Sequence, residues 1–365
     1  MEFELHFNKD NKEPKKGLNL RVFWLTFFAM FLLTSLKQLG VSLPTISFDK
    51  FSIIDPLSKN SSIFDGIEGK LEQVKNDYHL SKQSSFITSS YAATTNDYDN
   101  ASAYALIDFD SGNIIAEKNL DKKVPIASLT KLMSAVVALD ILSPTEQITV
   151  AKKATNIEPT RIGVKTGQKY TLYELLNAML LTSANDAAEV VRDGIDAKYQ
   201  QEVFIKAMNQ KAQDIGLTNT HFANPQGFDN PQNYSTAHDL AILTHYALAN
   251  YPTIAAIVSQ DQKMLPATQT HPKVLLLNWN GLMDVYPNIF GVKIGNTDQA
   301  QTTTIVGSQR GGKKLLVVLL GAPTIIQRDL WASELLDLGY EQTLGLPPVS
   351  VNENELLAKY QSWYQ

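Results

Sequence analysis

The chain has 365 residues, more than a typical single domain of about 150, which predicts one large domain with extensions or two domains. Hydrophobic residues make up 44% and charged ones 19%, a balance that supplies a real core and excludes wholesale disorder. A net charge of −5 argues against a general nucleic-acid binder, and the lack of cysteine excludes a disulfide scaffold, a thiolate nucleophile and a Cys-ligated zinc.

Val22 to Leu36 (VFWLTFFAMFLLTSL) carries no charge, and apolar residues continue through Leu43. The window approaches the ~20 residues that crossing a bilayer demands. Lys9, Lys12, Lys15, Lys16 and Arg21 precede it, and only Lys37 and Lys50 follow closely. This asymmetry predicts a cytoplasmic tail over 1–20, a single-pass anchor over 21–44 and the rest of the chain outside the cytoplasm. No small-x-small site after the apolar run favours a cleaved signal peptide, and Phe and Leu on every face disfavour a buried core helix. Residues 45–99 are rich in Ser, Asn, Asp and Thr and read as a linker, interrupted by a short helical pattern over Ile63–His79.

The folded part is expected over 100–345. Ala103–Asp108 alternates as a strand, Asp110–Asn113 is a turn, and Ile114–Glu117 returns, making a hairpin. Ala127–Leu142 reads as a largely buried helix, followed by helical stretches at Leu172–Leu181, Asp186–Val191 and Gln201–Gln213. Gln301–Ser308 and Lys314–Leu320 flank Arg310-Gly-Gly-Lys313 as a second hairpin, and Ile326–Leu338 is helical. Strands at both ends with helices between predict an antiparallel sheet built from the two termini, with a helical insert. Residues 346–365 read as a C-terminal tail.

Three elements carry chemistry. Ser128-Leu-Thr-Lys131 puts a hydroxyl at the start of a hydrophobic helix and an amine one turn on, on the same face. Such a lysine can take the serine proton only if burial or a neighbouring cation lowers its pKa. The motif alone is cheap, since Ser47-Phe-Asp-Lys50 also fits it and a lone serine here is usually a cap. Ser183-Ala-Asn185 follows at a junction of two helices, where a hydroxyl could relay a proton and an amide could hold a substrate. Ser58-Lys-Asn60 and Ser111-Gly-Asn113 share that pattern. The third element is a lysine beside a glycine on a strand, where a fixed charge meets a closely approaching substrate backbone. Lys165-Thr166-Gly167 matches the letters but precedes Ser183 in a polar loop. Lys293-Ile294-Gly295, just before the second hairpin, has the required context. His238 and His245, seven apart on a helix face, read as structural, and no metal-binding pattern is seen.

In this order and setting the chain resembles the serine D-alanyl-D-alanine carboxypeptidases, low-molecular-weight penicillin-binding proteins related to serine β-lactamases. The resemblance runs from about Ala101 to Tyr340. It includes YALIDFDSGNIIAEKNLDKKVPIASLTKLMSA, TSANDAAEVV, NPQGFDNPQNYSTAHDLA, LLNWNGLMDVYPNIFGVKIGNTD and VVLLGAPTIIQRDLWASELLDLGY. It implies an α/β (α+β) fold of the β-lactamase/DD-peptidase type, an antiparallel sheet flanked by helices with an all-helical subdomain, and no cofactor. Ser128 would attack the bond between two terminal D-alanines of a peptidoglycan stem peptide, Lys131 would act as base and Ser183 would serve the leaving amine. Asn185 would orient the peptide, and Lys293, with Gly295 and Asn296 beside it, would receive the terminal carboxylate. The backbone N–H groups of Ser128 and Asn296 would form the oxyanion hole, and β-lactams would acylate the same serine.

Two substitutions depart from the family pattern. Ile294 stands where a threonine hydroxyl would bond the carboxylate, with Thr297 nearby as a possible substitute donor, and Gln301 stands at a usual glycine. Ile294 motivates an alternative, a weakened relative that binds stem peptides or a cell-wall partner; a D,D-endopeptidase would use the same groups. A β-lactamase is disfavoured because no E-x-x-x-N element follows Ser128 at the needed spacing.

Overall fold

Two hairpins far apart in the chain meet along one seam, and the helices between them pack on the sheet they form. The computed structural model describes residues 76–82, 96–199 and 201–364. The expected anchor, the Ser47–Lys50 motif and most of the expected linker lie outside the described residues.

In chain order, β1 (Ser81–Lys82), β2 (Ala103–Asp108) and β3 (Asn113–Lys118) come first. A 3-10 turn, Ala127–Leu129, then leads into helix α1 (Thr130–Ile141). β4 (Gln147–Thr149) and β5 (Lys169–Thr171) precede helices α2 (Leu172–Leu180), α3 (Asn185–Lys198), α4 (Val203–Asp214), α5 (Ala237–Asn250) and α6 (Pro252–Val258). β6 (Gln262–Leu265) and β7 (Val274–Leu277) are followed by β8 (Ile289–Thr297), β9 (Gln301–Arg310), β10 (Lys313–Ala322), α7 (Ile325–Leu344) and α8 (Glu353–Ser362).

The main sheet has the order β1-β3-β2-β10-β9-β8, with β4–β5 and β6–β7 as separate pairs. The seam is β2 against β10, antiparallel, from Ala103 opposite Leu320 to Asp108 opposite Leu315. Both predicted hairpins are present, and the two-termini sheet with a helical insert is borne out. β10 reads KKLLVVLLGA, a continuous apolar run, because both its faces are buried. Leu316, Val318 and Leu320 face a core shared with α1 to α6, while Leu315, Val317 and Leu319 face a second core under α7. The two-residue period of a strand thus splits one hydrophobic run between two layers of helices.

Local chemistry fixes the helix starts. Thr171 accepts from the Glu174 amide while the Glu174 carboxylate accepts from the Thr171 amide, a capping box that begins α2. Thr236 and Thr324 cap α5 and α7 through single side-chain bonds. α1 differs from an ordinary surface helix: every residue from Thr130 to Ala138 is buried, Lys131 included. A helix apolar on all sides has to sit inside the protein, and it carries its lysine in with it. Gln301, at the usual glycine position, has φ of 54°, a left-handed conformation that costs a non-glycine residue about 1 kcal/mol.

The ends of the expected domain differ from the sequence reading. Ser81 and Lys82, expected in the linker, add to the sheet edge in parallel with Asn113 and Ile114. Residues 76–80 are not helical, so the helical pattern expected over Ile63–His79 does not extend over its described end. Residues 346–364, expected as a tail, turn back and form α8, started by an Asn352–Glu355 capping box and anchored by Leu356 in the core under α7. Among the described residues no single helix is long and apolar enough to cross a membrane.

Lys211 of α4 and Asp140 of α1 form an ion pair at 2.9 Å with side chains 1% and 0% exposed, and the Tyr251 hydroxyl donates to the same carboxylate at 2.6 Å. Removing one partner of such a pair leaves a charge in the core. Lys211→Met is expected to lower stability by about 3–5 kcal/mol in urea titration. A loss below about 1 kcal/mol would show that water reaches the pair.

Candidate active site

Ser128 lies in the 3-10 turn at the head of α1, and the Lys131 amine stands 2.7 Å from its hydroxyl oxygen. The same nitrogen lies 2.7 Å from the Asn185 side-chain oxygen and 2.7 Å from the Gln226 carbonyl. Two of these three neighbours are oxygens that can only accept. A neutral amine has two N–H bonds and one lone pair, so satisfying both carbonyls aims the lone pair at the Ser128 hydroxyl. Burial, then the charge on Lys293, pushes the Lys131 pKa well below its ordinary value. The amine therefore has the geometry of a general base, in surroundings that favour the neutral form such a base needs.

Each partner of Lys131 is itself fixed. Asn185 opens α3, and its amide nitrogen donates to the Pro159 carbonyl at 2.6 Å, so its oxygen is turned toward the lysine. The neighbouring Asp186 carboxylate accepts the backbone amides of Ile162, Gly163 and Val164 at 3.1, 2.8 and 3.1 Å. Those bonds fold the loop that presents Pro159 and Thr160 to the cleft. Gln226 reaches from its loop to Glu189 at 2.6 Å, and Glu189 is held in turn by Arg192 at 2.6 Å and Lys153 at 3.0 Å. Gly227, at φ +90°, closes this side: a Cβ there would stand 1.9 Å from the Ala127 carbonyl oxygen.

Ser183 follows α2 and precedes α3, as predicted, with φ of 60°. A non-glycine residue in that conformation is strained, and the strain turns its hydroxyl into the site. The Lys293 amine, on β8, donates to this hydroxyl at 2.9 Å and to the Ile294 carbonyl at 2.9 Å. Burial, followed by the nearby Arg328 charge, lowers the Lys293 pKa to about 7. A Cβ on Gly295 would stand 2.9 Å from both the Ser128 nitrogen and the Ala127 Cβ, so only glycine lets the strand approach this closely. Asn296 lines the cleft beside it.

Two lobes open on either side of Ser128, sharing Pro159, Thr160 and Asn296 as walls. One, of about 450 Å³, runs past Ser183 and Ile294 to Arg328. The other, of about 350 Å³, is bordered by Asn185, Gln226, Gly227 and Thr297. Arg328 and Ser183, the latter held by Lys293, thus line one lobe. The predicted residues Ser128, Lys131, Ser183, Asn185, Lys293, Gly295 and Asn296 are gathered in a single cleft. Thr297 lines the other lobe, where its hydroxyl accepts the Ala300 amide at 3.1 Å. Lys165-Thr166-Gly167 lies in the turn before β5 with its lysine exposed. His245 stacks on Tyr78 at 3.6 Å and His238 meets Asp239 at 3.2 Å, both structural contacts. Among the described residues no group of three or more His, Asp or Glu side chains is arranged to hold a metal ion.

Sequence reasoning missed Asp186, Gln226 and Arg328. Gln226 acts through its backbone carbonyl, which no side-chain motif announces. Asp186 directly follows Ser183-Ala-Asn185, and Arg328 lies in the first turns of α7 within a segment that was singled out only for its overall resemblance.

A hydroxyl nucleophile, a buried lysine beside it, a second hydroxyl and a further pair of basic side chains define a serine acyl-transfer enzyme on a DD-peptidase-like α/β fold. Residues 90–324 match the family model described as D-alanyl-D-alanine carboxypeptidase, peptidase family S11. The chain is similar to D-alanyl-D-alanine carboxypeptidase DacB2 of Mycobacterium tuberculosis, 34% identical over 248 residues, covering 66% of this chain and 82% of that protein. It is 29% identical to DacF of Bacillus subtilis over 66% of this chain, and spans only 62% of that relative's length. Among solved structures, the Streptomyces K15 DD-transpeptidase superposes with a TM-score of 0.62 at 28% identity, over 66% of this chain and 97% of that one. The chain belongs to the D-alanyl-D-alanine carboxypeptidase family.

The two lysines impose opposite requirements on pH. Lys131 must be neutral and Lys293 charged, so kcat/KM for a peptide ending in a carboxylate is expected to fall above about pH 7, where free Lys293 loses its proton. A bound carboxylate favours the charged lysine, so the corresponding limb in kcat lies at higher pH. Activity still rising through pH 9 would contradict this assignment of Lys293.

Proposed function

We propose that the chain is a serine D-alanyl-D-alanine carboxypeptidase that removes the terminal D-alanine from peptidoglycan stem peptides. The observation that carries this reading is the Lys131 amine, held by two carbonyl oxygens with its third direction on the Ser128 hydroxyl. Ser128 Oγ attacks the carbonyl carbon of the penultimate D-alanine while Lys131 takes the hydroxyl proton. The backbone N–H groups of Ser128 and Asn296 receive the oxyanion, each such donor contributing about 3 kcal/mol. Ser183, held by Lys293, passes a proton to the leaving D-alanine nitrogen as the C–N bond breaks. It receives in exchange the proton that Lys131 took, so that Lys131 is again neutral and Ser183 again a hydroxyl. Water, deprotonated along the same route, then attacks the ester and returns the proton to Ser128. Lys293 and Arg328, on the Ser183 side of the nucleophile, supply positive charge for the terminal carboxylate. β-Lactams carry a carboxylate and a strained amide in comparable places and acylate the same serine.

The anchor is part of the proposal. An uncleaved helix over 21–44 would tether the enzyme to the bacterial cytoplasmic membrane with the catalytic domain outside; what supports it is the charge-free run Val22–Leu36 and the excess of cations before it. Ile294 favours a second reading, a slow enzyme that retains peptide chiefly by binding.

A fluorescent penicillin should label the purified protein, and D-alanine should appear from an acyl-D-alanyl-D-alanine pentapeptide. Ser128→Ala should abolish both. Labelling that survives this change would remove Ser128 as the nucleophile. Ile294→Thr, which restores a hydroxyl to the carboxylate side, should raise kcat/KM for the pentapeptide about tenfold. No change would show that Lys293 and Arg328 already satisfy the carboxylate.

A further inference from the structure

The lobe that runs past Ser183 to Arg328 is walled in part by a stretch of chain outside the family match. Tyr360, at the end of α8, and Trp363 and Tyr364 after it line this lobe together with Ser128, Ile294 and Arg328. The family match ends at residue 324, so this wall belongs to an extension of the shared fold.

Arg328 is 1% exposed and makes an organised set of contacts. Its Nε donates to one oxygen of Asp329 at 2.7 Å, and Nη2 donates to the other at 3.0 Å. Nη2 also donates to the Tyr360 hydroxyl at 2.8 Å, while that hydroxyl donates to Asp329. Nη1 is the nitrogen that neither Asp329 nor Tyr360 engages. A guanidinium is planar, so fixing Nε and Nη2 also fixes the direction of Nη1. The fold makes room for this arrangement: a Cβ on Gly281 would stand 2.2 Å from the Asp329 oxygen and 2.7 Å from the Tyr360 hydroxyl. α8 is also fastened independently, by Lys359 to Asp261 at 2.9 Å and to Asp284 at 3.0 Å, and by Leu356 in the core. The Trp363 ring meets Tyr360 edge-on at 4.9 Å and steadies it.

We propose that α8 is a wall of the active site and that Tyr360 is a positioning residue, holding Arg328 so that its Nη1 edge receives the terminal carboxylate of the substrate. The proposal rests on the carboxypeptidase reading and extends it to the C-terminal segment. Tyr360 touches no reacting atom; it acts through Arg328. Its loss should therefore weaken recognition of a carboxylate and spare the chemistry at Ser128.

The test compares two peptides in the full chain, one ending in D-alanyl-D-alanine and one ending in the matching carboxamide. Tyr360→Phe keeps the ring and its contact with Trp363 but removes the hydroxyl. The expected result is a KM for the acid peptide about tenfold higher, kcat within about twofold, and an acid-over-amide preference in kcat/KM lowered about tenfold. Lys359→Ala, which loosens α8 without touching Arg328, should lower the preference in the same direction, about threefold. Equal losses on both peptides, or an unchanged preference in both variants, would overturn the positioning role. A lowered melting temperature together with unchanged preference would reduce α8 to a structural prop and count equally against it. Failure of the unaltered chain both to release D-alanine and to take up penicillin would sink the carboxypeptidase reading, and this proposal with it.

Discussion

The site depends on one amine kept out of water. Lys131 rides into the core on a helix that is apolar on every side, and its ammonium form would lose the solvation that normally stabilises it. A carboxylate beside it would restore the charge, but its contacts are two carbonyl oxygens and one hydroxyl. Neutral acceptors orient the amine without holding the proton as strongly as a carboxylate would. The surrounding architecture preserves that balance: Asn185 is turned by Pro159, the Gln226 loop is tethered to Glu189, and Gly227 presses on the backbone just before Ser128.

A second buried cation completes the balance at a distance. The charge on Lys293 disfavours a proton on Lys131, and Arg328 in turn disfavours one on Lys293. Arg328 stays charged because Asp329 lies beside it on the same helix, both side chains 1% exposed. A guanidinium always carries its charge, whereas burial lowers the pKa of both lysines, and each residue type suits its position. Substrate brings the missing anion: its carboxylate favours the charged form of Lys293, and the relay through Ser183 is then complete.

The sequence was most legible where function depends on local geometry. Ser128 and Lys131 are one helical turn apart, and Ser183 and Asn185 fall at a junction of two helices, so both placements could be read from letters and periodicity. Lys293 was separable from Lys165 because the former runs into a hairpin and the latter into a polar turn. The sheet was legible because the β10 run LLVVLL and the alternation over Ala103–Asp108 carry strand signals of their own. Less was legible where the decisive group is a backbone carbonyl, as at Gln226, or a left-handed residue other than glycine, as at Ala127 (φ 49°), Ser183 and Gln301. The parallel pairing of Ser81–Lys82 is too short and polar to leave a pattern. α8 is mostly exposed and polar, with one leucine as its buried residue, so its sequence reads as a tail although Tyr360 reaches the substrate lobe.

Titration of the Lys131 side chain tests the central claim most directly. The chain would be labelled with 13C at lysine Cε, with the Lys131 signal assigned by its loss in Lys131→Arg, and its shift followed against pH in the native protein. The account predicts a midpoint far below the 10.5 of an ordinary lysine, and an amine already neutral where the enzyme works. A midpoint near the ordinary value would mean that the amine is an ammonium at neutral pH and that some other group takes the Ser128 proton.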